Sequence, residues 1–218
     1  MKAFVSWSGG KESTLSCYKA MDKLEVTCLL NMISEDGKRS RSHGLDSMLL
    51  KAQSKAIEIP IIQRKTTWQN YEQEFKKAVS ELKKQGVEAG VFGDIDLEEH
   101  REWVERVCRE LGIKAILPLW GKPRTEVVSE FIDSGFEAVV VATKAELLGA
   151  EWLGRRIDQR FVKDIRHLAG VDLCGESGEY HTFVTDGPIF KRKIKITAAE
   201  KEKIDEHWLW NILKFIVE

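Results

Sequence analysis

The chain has 218 residues, with 34 Lys or Arg against 35 Asp or Glu, and its formal net charge is -1. This balance supplies no global field to attract DNA or RNA, so a nucleic-acid substrate is disfavoured. No apolar run approaches the roughly 20 residues that span a bilayer, so we expect a soluble protein without a membrane partner. The length allows one large domain, or a main domain with a smaller companion.

The cysteine pattern gives no sign of a disulfide framework or a zinc site. Cys17, Cys28, Cys108 and Cys174 form no C-x-x-C pair and no spacing typical of zinc ligands. No signal peptide precedes the first apolar run, which starts at residue 2. These features predict a protein of the reducing cytoplasm.

Short apolar runs alternate with helical patterns through the first half of the chain. The runs read "AFVSW", "VTCLLNMI", "IPIIQ" and "AGVFG", at 3–7, 26–33, 59–63 and 89–93. Strands that alternate with helices through short connections predict a doubly wound parallel sheet, whose ligands normally bind at the carboxyl ends of the strands.

Two helices between these runs are predicted clearly. The first covers 69–85, where apolar residues recur on one stripe and Gly86 ends the pattern. The second has Asp96 as its predicted N-cap and ends at Gly112. His100 and Cys108 fall on the apolar stripe of the second helix, so we interpret His100 as a hydrogen-bonded core histidine.

The regular alternation loosens after 116–123, "ILPLWGKP". A helix over 124–133 and a strand over 136–142 are still predicted, whereas the tail at 207–218 fits either a strand or a short helix. We therefore predict an α/β fold with two parts, a domain over 1–121 with the doubly wound parallel sheet and a smaller C-terminal α+β lobe over 122–218.

The stretch "VSWSGGKEST", at 5–14, connects the first strand to a helix through a glycine pair. Backbone N–H groups in such a turn converge on an anion, assisted by the helix dipole. The residues that supply backbone donors, hydroxyls and a cation are Ser8, Gly9, Gly10, Lys11 and Ser13. Neither the Walker A nor the dinucleotide-binding pattern is present. The alternative is a plain glycine turn with a solvated lysine.

The segment "SGGKES" resembles the pyrophosphate-binding loop (PP-loop) of N-type ATP pyrophosphatases, within the adenine nucleotide alpha hydrolase-like superfamily. More closely, the whole chain resembles the diphthine–ammonia ligase family. The similarity includes "HG" at 43–44, "PLWG" at 118–121, "WLGR" at 152–155 with Asp158, and "GESGEYHTF" at 175–183. The family usually has Asp where this chain has Glu12, which keeps the carboxylate but moves it by one methylene.

The resemblance implies ATP as cofactor, with Mg²⁺, and ammonia as a second substrate. The loop would hold the β,γ-phosphates as leaving group while a substrate carboxylate attacks the α-phosphorus, and fixed donors would stabilise the developing charge. Ammonia would then displace AMP from the acyl-adenylate. The acceptor implied by the family is elongation factor 2 bearing diphthine. A homodimer is compatible with these expectations.

Four further residues are candidates for the nucleotide site. Gly93 and Asp94 follow the fourth strand, at the sheet edge that the first loop also faces, and Asp94 is a predicted Mg²⁺ ligand. The alternative for Asp94 is a turn or cap. The resemblance places His43 near nucleotide or substrate. Arg155, beside Asp158, is interpreted as an anion clamp, with a salt-bridged helix start as the alternative.

The segment at 174–182, "CGESGEYHT", is predicted to hold Glu176, Glu179 and His181 on an exposed turn. Clustered carboxylates can bind Mg²⁺, for which Glu176 is the candidate, or accept a proton from incoming ammonia. We therefore interpret these three residues, with Asp94, as catalytic. The diphthine enzymes typically carry an acidic residue where His181 stands, and related chains suggested to act on corrinoid amides carry His.

Three other functions stay open at this stage. One is the same chemistry on a small carboxylate such as a corrinoid side chain. Another is a tRNA-thiolating PP-loop enzyme, which would need a catalytic cysteine pair, whereas Cys108 lies on an apolar helix stripe. The third is a non-catalytic adenine-nucleotide sensor, which would have no need for the carboxylates of the second lobe.

Overall fold

The computed structural model describes all residues, 1–218. The chain forms two compact units. The first comprises Met1–Ser8 and Glu12–Lys122, and the second comprises Gly9–Lys11 and Pro123–Glu218. Three residues of the glycine loop therefore belong to the second unit, although their neighbours in sequence belong to the first.

The first unit contains one five-stranded parallel sheet with helices between the strands. Its strands are β1 (Lys2–Ser6), β2 (Glu25–Ile33), β3 (Ile61–Lys65), β4 (Val87–Val91) and β5 (Lys114–Ile116). The intervening helices are α1 (Lys11–Met21), α2 (Ser47–Ile57), α3 (Tyr71–Lys84) and α4 (Glu98–Leu111).

The order of the strands is β3-β2-β1-β4-β5, and every neighbouring pair is parallel. The chain moves outward from β1 to β3 and then returns to the other side of β1 as β4. The carboxyl ends of β1 and β4 thus flank the topological switch point, where doubly wound sheets bind their ligands. This arrangement confirms the predicted α/β class.

Aromatic side chains fill the core between the sheet and helices α3 and α4. Phe4 of β1 is fully buried, and its ring makes edge-to-face contacts with Phe75 and Phe92, each at a centroid distance of 6.0 Å. Pairs in this geometry add about 0.5–1.5 kcal/mol beyond their buried area. These ring contacts hold α3 against β1. They thereby help to fix the positions of the strand ends at the edge of the parallel sheet.

The second unit is built on an antiparallel sheet with the order β7-β6-β9-β8. Its helices and strands are α5 (Arg124–Asp133), β6 (Glu137–Lys144), α6 (Gln159–Ile165), β7 (Tyr180–Asp186), β8 (Ile194–Ile204) and β9 (His207–Val217). The tail that fitted either a strand or a helix is thus the strand β9.

Helix α4 differs from its prediction at two positions. It begins after Leu97 rather than after Asp96, and no side chain caps it. The prediction that His100 lies in the core is wrong, because 60% of its side chain is exposed and its Nδ1 is 3.2 Å from Oδ1 of Asp94. His100 lies at the margin of the buried stripe, where spacing alone does not separate core from surface. Cys108 is buried, as its place on the stripe predicts.

Helix α2 ends in an uncommon conformation. Its C-cap is Glu58, which has φ 59 and ψ 29 in the left-handed region, and its backbone N–H bonds the carbonyl of Ser54. Glycine usually occupies such a position because it lacks the Cβ that makes the conformation costly. None of the helices is long and apolar enough to cross a bilayer.

Candidate functional site

The segment after β1 is fixed in the first unit by buried hydrogen bonds. Trp7 donates its backbone N–H to Leu30 of β2 and its indole N–H to Oε1 of Gln53, at 2.8 and 2.9 Å. The carbonyl of Trp7 accepts from Nδ2 of Asn31 at 2.8 Å. These bonds satisfy the polar groups of a buried tryptophan, so the chain leaves β1 at a defined position.

Ser8, Ser13 and Gly93 lie together at the carboxyl edge of the parallel sheet. The hydroxyl oxygens of Ser8 and Ser13 are 3.0 Å apart. A Cβ on Gly93 would lie 3.0 Å from the backbone nitrogen of Ser13 and 3.1 Å from the carbonyl carbon of Glu12. Any larger residue at position 93 would require the start of α1 to move by a few tenths of an ångström, so glycine favours this close approach. The structure confirms that the first loop and Gly93 share one sheet edge.

Gly9 and Lys11 belong to the second unit and form hydrogen bonds within it. Gly9 has φ 82, a left-handed conformation that favours glycine, and its carbonyl accepts from the backbone N–H of Val184 at 3.0 Å. The backbone N–H of Lys11 donates to Oγ1 of Thr182 at 3.1 Å. Gly10, between them, is buried. The glycine pair thus follows a fixed path rather than a mobile turn.

The side chain of Lys11 is buried rather than solvated. Its Nζ donates to the carbonyl of Cys174 at 2.5 Å and lies 4.6 Å from the centroid of the Tyr180 ring. The alternative of a lysine in solvent is therefore wrong. A carbonyl and an aromatic face both attract the ammonium, so Lys11 holds the loop in place. Its direct contact with phosphate stays a prediction.

The prediction of an exposed turn at 174–182 is wrong for Glu179. This carboxylate is buried, and it accepts from the backbone N–H groups of Asp172 at 3.1 Å and Ser177 at 2.9 Å. Asp172 in turn accepts from the N–H of Cys174 at 2.7 Å and pairs with Arg124. Two carboxylates thus organise the loop from inside, and the catalytic role of Glu179 stays a prediction.

Glu176 and His181 occupy different environments in the same segment. Glu176 is partly buried in the turn, and its backbone N–H donates to Oδ2 of Asp172 at 3.3 Å. His181 lies within β7, paired with Ala142, and not on an exposed turn. Burial lowers its pKa to about 4, with smaller contributions from Lys11 and His207. His181 is therefore neutral at physiological pH.

Arg155 and Asp158 have structural partners. Arg155 pairs with Asp164 at 2.5 Å, and its guanidinium lies 4.2 Å from the centroid of the Trp152 ring. Asp158 is the N-cap of α6 and accepts from the N–H of Phe161 at 2.8 Å. This is the salt-bridged helix start that was the alternative to an anion clamp, so any contact of Arg155 with ligand stays a prediction.

Asp94 and His43 lie in loops at the carboxyl edge of the parallel sheet. Asp94 follows β4 and contacts His100, and His43 follows β2 in a half-buried loop where its N–H is 3.4 Å from Oγ of Ser40. No group of three or more His, Cys, Asp or Glu side chains is placed to hold a metal ion. Mg²⁺ in nucleotide sites often takes one or two carboxylates plus phosphate oxygens, so a single carboxylate such as Asp94 fits.

The sequence prediction missed a pocket beside Asp94 that is lined by aromatic residues. Trp68 follows β3, Tyr71 begins α3 and Trp103 lies on α4. Tyr71 falls on the apolar stripe of the helix predicted over 69–85, which indicates a core position rather than a binding role, and no motif in the sequence distinguishes Trp68. The signal that would have identified Trp68 is its position just after a strand of a parallel sheet, where binding residues collect.

The fold and the glycine loop define a doubly wound α/β protein of the PP-loop type, with an additional antiparallel unit. Comparison with protein families makes the assignment specific. Residues 1–115 match the diphthamide synthase N-terminal domain, and residues 123–216 match the diphthamide synthase C-terminal domain. The chain therefore belongs to the diphthamide synthase family.

Curated relatives carry the name diphthine–ammonia ligase. The Bos taurus protein is 34% identical over 130 residues, which cover 58% of this chain and 48% of the relative. The Rattus norvegicus protein is 27% identical over 231 residues, covering 92% and 84%. The Schizosaccharomyces pombe protein is 29% identical over 227 residues, covering 92% and 37%. The chain thus spans about half the length of the bovine relative.

One solved structure has a weaker likeness. It is described as a "predicted subunit of tRNA methyltransferase" from Methanocaldococcus jannaschii, with 15% sequence identity and a TM-score of 0.46. The match covers 86% of this chain and 98% of that one. No functional conclusion follows from a likeness at this level.

Proposed function

We propose that this protein is an ATP-dependent ligase that converts a substrate carboxylate and ammonia into an amide, with AMP and pyrophosphate as the other products. The observation that carries the proposal is the family match over both parts of the chain, together with the segment "SGGKES" at the carboxyl end of β1. Curated relatives named diphthine–ammonia ligase support diphthine as the acceptor, and the family resemblance of the sequence implies that elongation factor 2 carries it.

In this proposal the loop binds the leaving group. Backbone N–H groups and the hydroxyls of Ser8 and Ser13 hold the β,γ-phosphates at the start of α1, where the helix dipole also favours negative charge. The substrate carboxylate attacks the α-phosphorus and pyrophosphate leaves. Ammonia then attacks the acyl carbon, AMP leaves with the bonding electrons, and the ammonium proton passes to a base. Mg²⁺, when bound, would neutralise phosphate charge, with Asp94 as a protein ligand.

The rival functions have less support. A thiolating enzyme needs an accessible low-pKa thiol, but all four cysteines are buried, and burial raises the pKa of Cys17 and Cys108 to about 12. A small corrinoid carboxylate has no support from the names of the relatives. A nucleotide sensor would not require the match to the diphthamide synthase C-terminal domain over the second unit.

The test is an assay of the purified chain with ATP, ammonium and elongation factor 2 bearing diphthine. We expect AMP and pyrophosphate by chromatography, and the conversion of acid to amide by mass spectrometry of the acceptor. A corrinoid carboxylate serves as the comparison acceptor. Gly10→Val is the matched loop variant, since a branched side chain there should weaken ATP binding at least ~10-fold. Formation of only ADP and phosphate would refute the ligase proposal.

A further inference from the structure

A pocket of about 490 Å³ opens at the carboxyl edge of the parallel sheet, within the first unit. Ser6 at the end of β1 and Asp94 after β4 line it. Four aromatic side chains form much of the remaining wall, those of Trp68, Tyr71, Phe92 and Trp103. A pocket of this size and composition suits one side chain or small molecule, with a few polar groups to orient it.

The aromatic rings present a series of inclined faces. Trp68 and Tyr71 stack with centroids 6.3 Å apart and planes 23° apart, and Tyr71 and Trp103 follow at 6.0 Å and 54°. Trp103 is held in place because its indole N–H donates to Glu72 at 2.8 Å. Trp68 is 69% exposed, so burial in the core does not account for its position. A large exposed aromatic side chain beside a pocket indicates a binding surface.

The protein already places a cation on one of these rings. The guanidinium of Arg41 lies 5.2 Å from the centroid of the Trp68 ring, and it is oriented by hydrogen bonds to the carbonyl of Thr66. Aromatic faces carry negative potential, and clustered rings are the common means by which proteins bind quaternary ammonium groups. Arg41 and Asp94 bring one positive and one negative group to the same pocket, which suits a zwitterion.

Diphthine is a zwitterion of this kind. Its histidine extension ends in a carbon that carries both a trimethylammonium group and the carboxylate to be amidated. We propose that Trp68, Tyr71 and Trp103 form the recognition site for that trimethylammonium group, an inference that rests on the proposed ligase function. The rings rather than Asp94 define this site, because Asp94 is also the predicted Mg²⁺ ligand.

The pocket lies close to the start of the phosphate loop, so a cation bound in it would also determine where the reacting carboxylate lies. Asp94 follows Gly93, whose Cα lies against the backbone of Ser13 at the start of the phosphate loop. The trimethylammonium group and the reacting carboxylate share one carbon in diphthine. A cage that holds the cation therefore also restricts where the carboxylate can lie, which favours reaction by positioning.

The test measures binding without turnover. The probe is the trimethylammonium betaine of α-aminobutyric acid, which reproduces the reacting end of diphthine. Its control is the analogue with tert-butyl in place of trimethylammonium, which has the same shape but no positive charge. By calorimetry we expect the betaine to bind about tenfold more tightly than the analogue, as a cation in an aromatic cage should. Equal affinities for the two probes would overturn the inference.

Substitutions of single tryptophans test whether the trimethylammonium group binds in this pocket. Trp68→Ala should weaken betaine binding about tenfold and leave ATP affinity unchanged, and Trp68→Phe should retain part of the binding. Trp208→Ala is the matched control, because Trp208 also carries a protein cation, Lys203 at 5.7 Å, but lies in the second unit. If Trp68→Ala instead weakens ATP binding and spares the betaine, the pocket binds the nucleotide base and the inference is wrong.

These measurements separate the two proposals. Betaine binding that depends on Trp68, in a chain that forms no AMP with the diphthine acceptor, would support the cage and refute the ligase function. Formation of AMP, pyrophosphate and amide by a chain that shows no preference for the betaine would support the ligase function and refute the cage.

Discussion

Gly93 lies so close to Ser13 that a Cβ at position 93 would be 3.0 Å from the Ser13 backbone nitrogen, a contact that would require one of them to move by a few tenths of an ångström. Their contact joins the end of β4 to the start of the helix that follows the phosphate loop. The geometry of that loop therefore depends on a residue about 80 positions away in sequence, at the topological switch point of the sheet.

Gly93→Ala should displace the start of α1 by a few tenths of an ångström and weaken ATP binding about tenfold, or roughly 1.4 kcal/mol. Calorimetry with ATP measures the effect. Glu88→Ala, an exposed change on the strand β4 that precedes Gly93, should leave the affinity unaltered. Unchanged ATP affinity in a folded Gly93→Ala protein would exclude this edge from the nucleotide site.

Glu179→Gln should lower the free energy of unfolding by about 1–3 kcal/mol, because a buried carboxylate that accepts two backbone N–H groups is replaced by an amide with one acceptor. Denaturant titration provides the value. Glu200→Gln, at an exposed position on β8, is the control and should change little. Full stability together with lost amide formation would instead favour a catalytic role for Glu179.

The lowered pKa of His181 predicts that the free energy of unfolding depends on pH. Its pKa is lowered from 6.5 to about 4, so between these values the unfolded chain binds more protons than the folded one. Stability should therefore be fully present above about pH 6.5 and decline as pH falls toward 4, by an amount on the order of 2–3 kcal/mol. His181→Gln should flatten the profile in this window, whereas His167→Gln, at an exposed position, should not.

Asp94→Asn tests the predicted Mg²⁺ ligand. If Asp94 holds the metal beside the ATP phosphates, the amide should raise the Mg²⁺ concentration required for half-maximal AMP formation several-fold, because a charged oxygen ligand is lost. His100→Gln is the matched control, since it alters the partner of Asp94 and keeps the carboxylate. An unchanged Mg²⁺ requirement in Asp94→Asn would show that the metal is held elsewhere.

The sequence predicted the parallel sheet and the place of its loop because both depend on local patterns. Apolar runs between helical stripes specify doubly wound strands, and a glycine pair after a strand specifies a turn at the carboxyl edge. The helix predicted over 124–133 coincides with α5.

The environments of single polar residues were not predictable in this way. Glu179 lies in a glycine-rich polar segment, and nothing in that composition reveals that two backbone N–H groups point at it. Lys11 bonds to a carbonyl 163 positions away. Such partners are set by tertiary packing, which a single sequence does not encode in its periodicity. The role of Trp68 likewise depends on α3 and α4 meeting beside it.

Replacing Glu58, the left-handed C-cap of α2, with glycine should give a more stable protein for these experiments. A non-glycine residue in this conformation costs roughly 1–2 kcal/mol, a sizeable share of the ~5–15 kcal/mol margin typical of folded domains. Glu58→Gly should recover on the order of 1 kcal/mol, seen as a higher denaturation midpoint, whereas Glu58→Val should lower it. Because Glu58 is exposed and precedes β3, at the edge of the sheet remote from the loop, this gain should come without a change in ATP affinity.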